Sequence, residues 1–526
     1  MKKIIINLIC VSCLILTSCN ALDQYPINSF TDDNFWTETR ANYVLSQAYS
    51  QMYGSGTMFS NEERTDNLYT SGGNSLLQGS VDIFNGTFSG EWSGRYTGIR
   101  TCNLFLNNID AISMNSQLKE RMIAEARFIR AYQYFRLLTW FGDTPHSNDL
   151  ISLSESFTIS RKPRAEVLAW VRSELNDIVG ALPTKQQYAA ADNGRITKGA
   201  VMGMLARTYL YDNEWQDVAT ITEKIMNGEY GAYDLFRTYD GIFLQENQYN
   251  TEIMLDYGYV PEIRTWSDMR DVVPPSQGAR TNGFSPTQEL VNDYVMINGL
   301  PITDPNSLYN AEDPYVNRDP RFYHTIVYHG YEWKRPDGST VVINIRPGST
   351  PETNDIYVAG SLIPSQTGYY LRKWYDPQAR QSDMASGLNI IMMRYADILL
   401  MYAEAKNELN QMNETVWNQT IRRIRARAGF TFEDALDWKS SFTQGELRDI
   451  IRRERRCELA IEGLRIFDLR RWKTAEIVLN GRPTSAPFAN PALTPRVFNP
   501  SRDYLWPVPG AQIDINPNLL PNNPNW

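Results

Sequence analysis

Hydrophobic positions recur with helical spacing through the first half of the chain. Between residues 117 and 141, Ala124, Phe128, Ala131, Phe135 and Leu138 are four, three, four and three residues apart, one face of an α-helix. Lys119, Glu120, Arg121, Arg127 and Arg130 fall elsewhere on its surface. A stop is expected at Phe141-Gly142-Asp143, where glycine accepts the backbone of a helix end. Residues 163–182, 197–211 and 214–227 read as further helices, the last two joined by a tight Tyr211-Asp212-Asn213 turn.

Within 201–226, Ala206, Tyr209 and Leu210 followed by Trp215 and Ala219 carry the small-residue and aromatic spacing of a tetratricopeptide hairpin. Residues 394–410 and 415–428 repeat the plan with Tyr395, Leu399, Tyr402, Ala403 and Ala405. The repeats are separated and irregular, so stacked helix pairs with insertions are expected in place of a uniform solenoid. From 256 to 383 Pro, Gly, Asn and Asp are frequent, helices are brief, and 341–345 is the expected strand. The segment 481–526 is rich in Pro and Asn. The chain thus divides into a helical scaffold (about 34–255 and 385–475), a loop-rich region (about 256–384) and a C-terminal segment. Long ordered loops on such a scaffold usually carry binding.

At 526 residues, 42% hydrophobic and 21% charged with mean hydropathy −0.42, the chain can bury a large core and is neither disordered nor multi-spanning. A net charge of −9 argues against nucleic acid, which demands a basic face. His146, His324 and His329 are scattered outside any zinc motif and no CxxC occurs, so neither metal nor cofactor is expected. The 30 Tyr and 13 Trp do change the picture, because flat faces with a polar handle suit sugar rings and peptides as well as cores.

Residues 1–20 read as an export signal, with Lys2 and Lys3 before an apolar run over 4–16. Leu16-Thr17-Ser18-Cys19 resembles the bacterial lipobox, in which residues 1–18 are removed and Cys19 becomes a lipid-modified anchor. An ordinary secretory signal is the alternative. Cys10 and Cys13 leave with the signal, and Cys102 and Cys457 form either one bridge or two buried free thiols. The most apolar later stretch, 388–405, is interrupted by Arg394 and Asp397, so the protein is expected to hang on a membrane without crossing it.

A series of motifs then points to one family. They are Asn34-Phe35-Trp36, Ala124-Glu125-Ala126-Arg127-Phe128 running into Trp140-Phe141-Gly142-Asp143, Asp319-Pro320-Arg321-Phe322, and Leu371-Arg372-Lys373-Trp374. Met393-Arg394-Tyr395-Ala396-Asp397, Ile424-Arg425-Ala426-Arg427-Ala428-Gly429, Glu454-Arg455-Arg456, Asp468-Leu469-Arg470-Arg471-Trp472 and Trp506-Pro507-Val508-Pro509 follow in order. The chain resembles the SusD/RagB family, lipidated nutrient-binding proteins of Bacteroidetes outer membranes. The resemblance implies a mainly α single domain over 19–526, with about four irregular tetratricopeptide-like pairs and a packed loop-rich region. It also implies a surface lipoprotein that captures an oligosaccharide and passes it to a SusC-like TonB-dependent barrel. A peptide-binding RagB-like member and a glycoside hydrolase are the alternatives.

The charge run 446–472 interleaves Arg452, Arg453, Arg455, Arg456, Arg470 and Arg471 with Glu454, Glu458, Glu462 and Asp468, the pattern of ion pairs on a helix surface. Glu125, Arg127 and Arg130, and Arg394, Asp397 and Glu404, read as structural charge pairs. No carboxylate pair with glycosidase spacing can be named, so no catalytic residue is assigned. Most tryptophans fall at positions where the family favours large aromatics, which leaves Trp266, Trp333 and Trp92 as candidates. The expected ligand platform is Trp266 with Tyr257 or Tyr259, supported by Arg264. Asp66, Asn67, Tyr69 and Trp92 come from a glycine-rich window at 65–98, and Trp333 is a further candidate. On this reading Trp266 is partly exposed and shares one concave surface with Asp66 and Asn67.

Overall fold

A computed structural model of the chain describes residues 35–281, 283–361, 363–380, 382–489 and 491–526, so Cys19 and the export segment lie outside the described residues. Helices begin where a side chain can accept from the free N–H groups of a first turn. Thr37 caps α1 (Glu38–Ser50), and α2 (Ser55–Glu62) follows. Asn85 caps α3 (Gly86–Asn108) and Asn115 caps α4 (Ser116–Phe141), which ends at Gly142 with φ 71°. Next come α5 (Arg164–Ile178), α6 (Lys198–Tyr211, capped by Thr197) and α7 (Trp215–Met226). Asn213, at φ 58°, makes the tight turn between α6 and α7.

The loop-rich region holds only short elements, α8 (Gln288–Asp293) and α9 (Pro320–Thr325) among them. The scaffold resumes with α10 (Tyr395–Glu408), α11 (Glu414–Gln419), α12 (Ile421–Ala428), α13 (Gln444–Glu458) and α14 (Arg465–Arg471). The single helix expected over 415–428 is broken into α11 and α12 at Thr420, whose φ and ψ of −124° and −88° are not helical. Helices stack in sequence: α3 on α4, α4 on α5, α6 on α7, α7 on α10 and α10 on α13.

Strands occur as two-stranded antiparallel ribbons. β1 (Leu68–Thr70) pairs with β3 (Phe284–Pro286), and β2 (Ile253–Tyr257) with β8 (Ile390–Arg394). β4 (Ile326–Val327) pairs with β7 (Tyr370–Leu371), and β5 (Tyr331–Lys334) forms a hairpin with β6 (Thr340–Ile343), the expected strand shifted by one or two residues. The β2–β8 ribbon closes the loop-rich region at its base, setting Ile253 opposite Arg394. One hydrophobic cluster runs from Ala41 to Leu519, and Cys102 and Cys457 are buried free thiols within it.

Most of the charge run does not lie on a surface: Arg452 and Arg453 on α13 are half-buried, and the other named charges are enclosed. Arg394, Arg427, Arg321, Arg425 and Lys373 are buried with Glu252, Asp319, Glu454, Glu458 and Glu462. Arg394 alone meets Glu252 at 2.7 Å, Glu458 at 2.6 Å and Glu462 at 2.8 Å. A second group joins Arg207, Arg455 and Arg471 to Asp397, Asp468 and Glu404 at 2.5–2.9 Å. The expected surface network is therefore an internal one. On α4, too, Glu125, Arg130 and Arg136 are buried, and Arg130 and Arg136 reach Glu174 and Glu91 across the helix stack.

Burial pushes the carboxyls of Glu454, Glu458 and Glu462 upward, but the adjoining arginines outweigh it and hold all three below the usual range. Glu62 behaves oppositely: burial, opposed by hydrogen bonds from Asn67 and Gly463, raises it to about 7. Network carboxylates thus contribute stability that is present above their unfolded value of 4.5 and lost as pH falls toward the depressed folded values. Glu62 contributes stability present below 4.5 and lost as pH rises through about 7. Melting temperature should drop steeply as pH falls below about 4.5, and Glu62→Gln should flatten the separate decline expected as pH rises from 4.5 to about 7. Glu458→Gln, which strands Arg394, Arg427 and Arg321, should cost about 3–5 kcal/mol in denaturant unfolding; wild-type stability in that variant would contradict the network's role.

Candidate functional site

The first group of side chains named from the sequence lies in the core. Asp66 is 2% exposed and sits between Arg456 at 2.7 Å and Arg465 at 2.9 Å. Burial pushes its carboxyl up, yet the two guanidiniums win and hold it well below the usual carboxylate range. Asn67 is fully buried, donating to Glu62 Oε2 at 2.7 Å and accepting from Arg456 Nε at 3.0 Å. Tyr69, in β1, accepts from the Thr494 N–H at 3.2 Å. Trp92 is buried in the middle of α3, which starts at Gly86, and meets Phe141 edge-on at 5.1 Å. These four are corrected from ligand contacts to structural residues, because each spends its polar or flat surface on protein.

Trp266 and Trp333 need the same correction. Trp266 is 5% exposed, bridges to Ser386, and donates its Nε1–H to the Leu388 carbonyl at 2.7 Å. Trp333, in β5, is 0% exposed, lies edge-on to Tyr375 and is covered by Arg372, 4.5 Å from its ring centroid. The loop-rich region has a packed interior continuous with the main core, and both indoles lie in it.

Tyr257, Tyr259 and Arg264 do meet one another. Tyr257 is buried and donates to the Ser50 carbonyl at 2.8 Å; half-buried Tyr259 accepts from the Ser55 N–H at 3.2 Å. The exposed Arg264 guanidinium hydrogen-bonds the Tyr257 hydroxyl and lies 4.7 Å and 5.6 Å from the two ring centroids. A stacking ligand would have to displace it.

A different aromatic surface, partly exposed, lies further along the same region. Tyr315, Tyr323, Tyr328 and Tyr331 are all half-buried, around the turn that leads from α9 and β4 into β5. Gly330, at φ 89°, lets the chain reverse there, and the Tyr331 N–H donates to the Tyr328 carbonyl at 3.1 Å. Tyr328 stacks on buried Phe322 at 5.2 Å, with Tyr315 at 4.4 Å and Tyr331 edge-on at 5.6 Å. Three hydroxyls are committed: Tyr323 to the Tyr315 carbonyl, Tyr331 to the Tyr323 carbonyl, and Tyr315 to Tyr369. Among the described residues the Tyr328 hydroxyl has no hydrogen-bond partner; burial and neighbouring phenols push its pKa up. His329 then lies edge-on to half-buried Phe488 at 6.0 Å, and exposed Arg346 sits 5.7 Å from the Phe488 centroid.

This surface offers flat apolar faces beside a hydroxyl and a guanidinium, the pairing that suits C–H faces and hydroxyls of a sugar. None of these side chains was singled out from the sequence. The dense Tyr323, Tyr328 and Tyr331 spacing is the one local signal available; Phe488 is far along the chain and joins only through the fold.

Residues 236–526 match a family model described as SusD family, and residues 23–210 match one described as starch-binding associating with outer membrane. SusD-like protein P2 of Formosa agariphila is 28% identical over 100% of both chains. A SusD-like protein of Bacteroides ovatus is 25% identical over 88% of this chain and 81% of its own length. The crystal structure of a SusD-like carbohydrate-binding protein from Bacteroides fragilis superposes with a TM-score of 0.82 at 26% identity, covering 92% of this chain and 99% of that one. With more than half of its residues inside the first match and its stacked helix pairs shared with solved relatives, this chain belongs to the SusD family.

Proposed function

We propose that this chain is a non-catalytic glycan-capture lipoprotein of the outer membrane, anchored through Cys19, that passes an oligosaccharide to a SusC-like TonB-dependent barrel. The observation that carries the reading is the half-buried tyrosine surface around Tyr328, with the Tyr323 and Tyr331 rings fixed by hydroxyl-to-backbone bonds and one hydroxyl left over. Its support from outside is the kinship with a Bacteroides fragilis protein named as carbohydrate-binding and with a family described as associating with the outer membrane. Tyr259 and Arg264 form a second, smaller contact area in this proposal, usable once Arg264 swings off the rings.

Purified protein titrated with a panel of oligosaccharides should bind without releasing product. Hydrolysis products would make it an enzyme, and binding confined to peptides would favour a peptide carrier. Tyr328→Ala should weaken glycan binding by about 1–3 kcal/mol, taking base-stacking sites as the guide, at unchanged melting temperature. Trp266→Ala should do the reverse, leaving affinity intact while costing about 3–5 kcal/mol of stability; the opposite pairing of results would return Trp266 to the site.

Cys19→Ala should deplete the protein from the membrane fraction, since in this proposal the acyl chains supply its affinity for the bilayer. Quantitative retention of that variant would remove the anchor from the proposal.

A further inference from the structure

A cavity of about 40 Å³ lies between α4, α14 and the C-terminal segment, walled by Phe88, Trp140, Trp506 and Trp526 and entered by two guanidiniums, Arg64 and Arg470. Trp140 and Trp506 stack with centroids 3.9 Å apart at 17°. Arg470 lies 4.8 Å from the Trp140 centroid and Arg64 lies 5.3 Å from that of Trp506. Elsewhere in the interior most buried arginines meet carboxylates at ion-pair distance, Arg318, held by the backbone carbonyls of Val291, Tyr294 and Pro314, being an exception. Arg64 and Arg470 do not meet one either.

Arg470 donates only to the backbone carbonyls of Asp503 and Tyr504. Arg64 makes neither an ion pair nor a hydrogen bond among the described residues, and its buried Nε is unpartnered. The nearby carboxylates are spoken for. Glu91 is taken by Arg136 at 2.7 Å, Glu63 accepts from Thr70 at 3.0 Å, and Asp503 accepts from Arg502 at 2.6 Å and from the Asn499 N–H at 2.7 Å. The Trp140 Nε1–H is also buried without an acceptor. Indole and guanidinium N–H groups donate and cannot accept. Asp503 also lines the cavity, its carboxylate held by Arg502 at 2.6 Å; beside that one acid the cavity presents two guanidiniums and unspent donors.

The contrast with a second cavity of similar volume, lined by Tyr53, Asn61, Tyr132, Arg207 and Tyr211, defines the chemistry. There an unpartnered acceptor, Asn61 Oδ1, stands with the donors, and Arg207 is neutralised by Asp397 at 2.6 Å, so the lining suits water, which both donates and accepts. Around Arg64 and Arg470 water would supply acceptors but no charge. Burial lowers the pKa of both arginines by more than Glu63 and Glu91 raise that of Arg64 or Asp503 raises that of Arg470.

We infer that the Arg64–Arg470 cavity is a binding site for a small inorganic anion, held by the two guanidiniums and the Trp140 N–H. Space for roughly three waters, at about 10–15 Å³ each, admits a halide or a compact oxyanion and excludes an organic acid the size of gluconate.

The test is thermal unfolding of the purified protein at constant ionic strength in gluconate, with bromide or sulfate substituted stepwise. An anion that binds only the folded state raises the melting temperature saturably. We expect a rise of a few degrees with at least one of them, bromide marking a halide site and sulfate alone an oxyanion site. Arg64→Met should abolish that dependence whatever its own starting stability, and Arg64→Lys should weaken it. Crystals grown in bromide should show an anomalous peak between Arg64, Arg470 and the Trp140 indole if the site takes halide. Melting curves identical in gluconate, bromide and sulfate, or an anion response retained in Arg64→Met, would overturn the assignment.

Discussion

The constraint on which the rest of this structure depends is charge neutrality inside the scaffold. Helix α13 carries Glu454 and Glu458 beside Arg455 and Arg456 on faces that are all enclosed, so each charge must find its counterpart on another element. Isolated buried charges are costly, whereas closed sets with good hydrogen bonds are tolerated. Glu458 and Glu454 find Arg321 from the loop-rich region, Arg394 from the β8–α10 junction, and Arg427 and Arg425 from α12. Arg455 turns to Asp397 and Asp468. Each of the two sets holds equal numbers of cations and carboxylates, so these networks add almost no net charge while joining segments far apart in sequence. Arginine suits this role because its planar fork serves two or three carboxylates at once.

That arrangement explains how an irregular, strand-poor region can be rigid. The loop-rich segment starts and ends on the β2–β8 ribbon, and Arg321, Asp319 and Lys373 fasten it to α13 and to Glu462. Its interior is filled by Trp333, Tyr369, Tyr370 and Trp374. With the base fixed by charge and packing, the outward turns need contribute little to stability. Residues on them can differ between relatives without unfolding the scaffold.

Helix ends were legible in the sequence because they are local. Asn115, Thr197 and Gly142 sit where caps and stops belong, and α4, α6 and α7 follow their expected ranges within one or two residues. The destination of the charges was not legible. Glu and Arg at helical spacing look the same on an exposed helix as on one whose partners arrive from 60 to 140 residues away, as Arg394 to Glu458 and Arg321 to Glu458 do. The candidate site failed for a related reason. Sorting tryptophans by the family's aromatic positions treated the remaining region as surface, but Trp266 and Trp333, the latter in β5, lie in a region with a packed interior. Asp66 and Asn67 misled because short polar side chains in a glycine-rich window look like ligand donors until Arg456 and Arg465 close on them.

The two aromatic groups left at the surface differ in what they would lose by meeting a ligand. At Tyr257 and Tyr259 the guanidinium of Arg264 already occupies the ring faces, so binding must first break a cation–π contact and a hydrogen bond. Around Tyr328 the rings are held from behind: Phe322 backs the stack, and the hydroxyls of Tyr323 and Tyr331 are tied to backbone carbonyls. Their orientation is paid for during folding, which leaves less conformational entropy to be lost on association. A preorganised face with one uncommitted hydroxyl is therefore the better receptor of the two, although the other contains more of the residues that attract attention in the sequence.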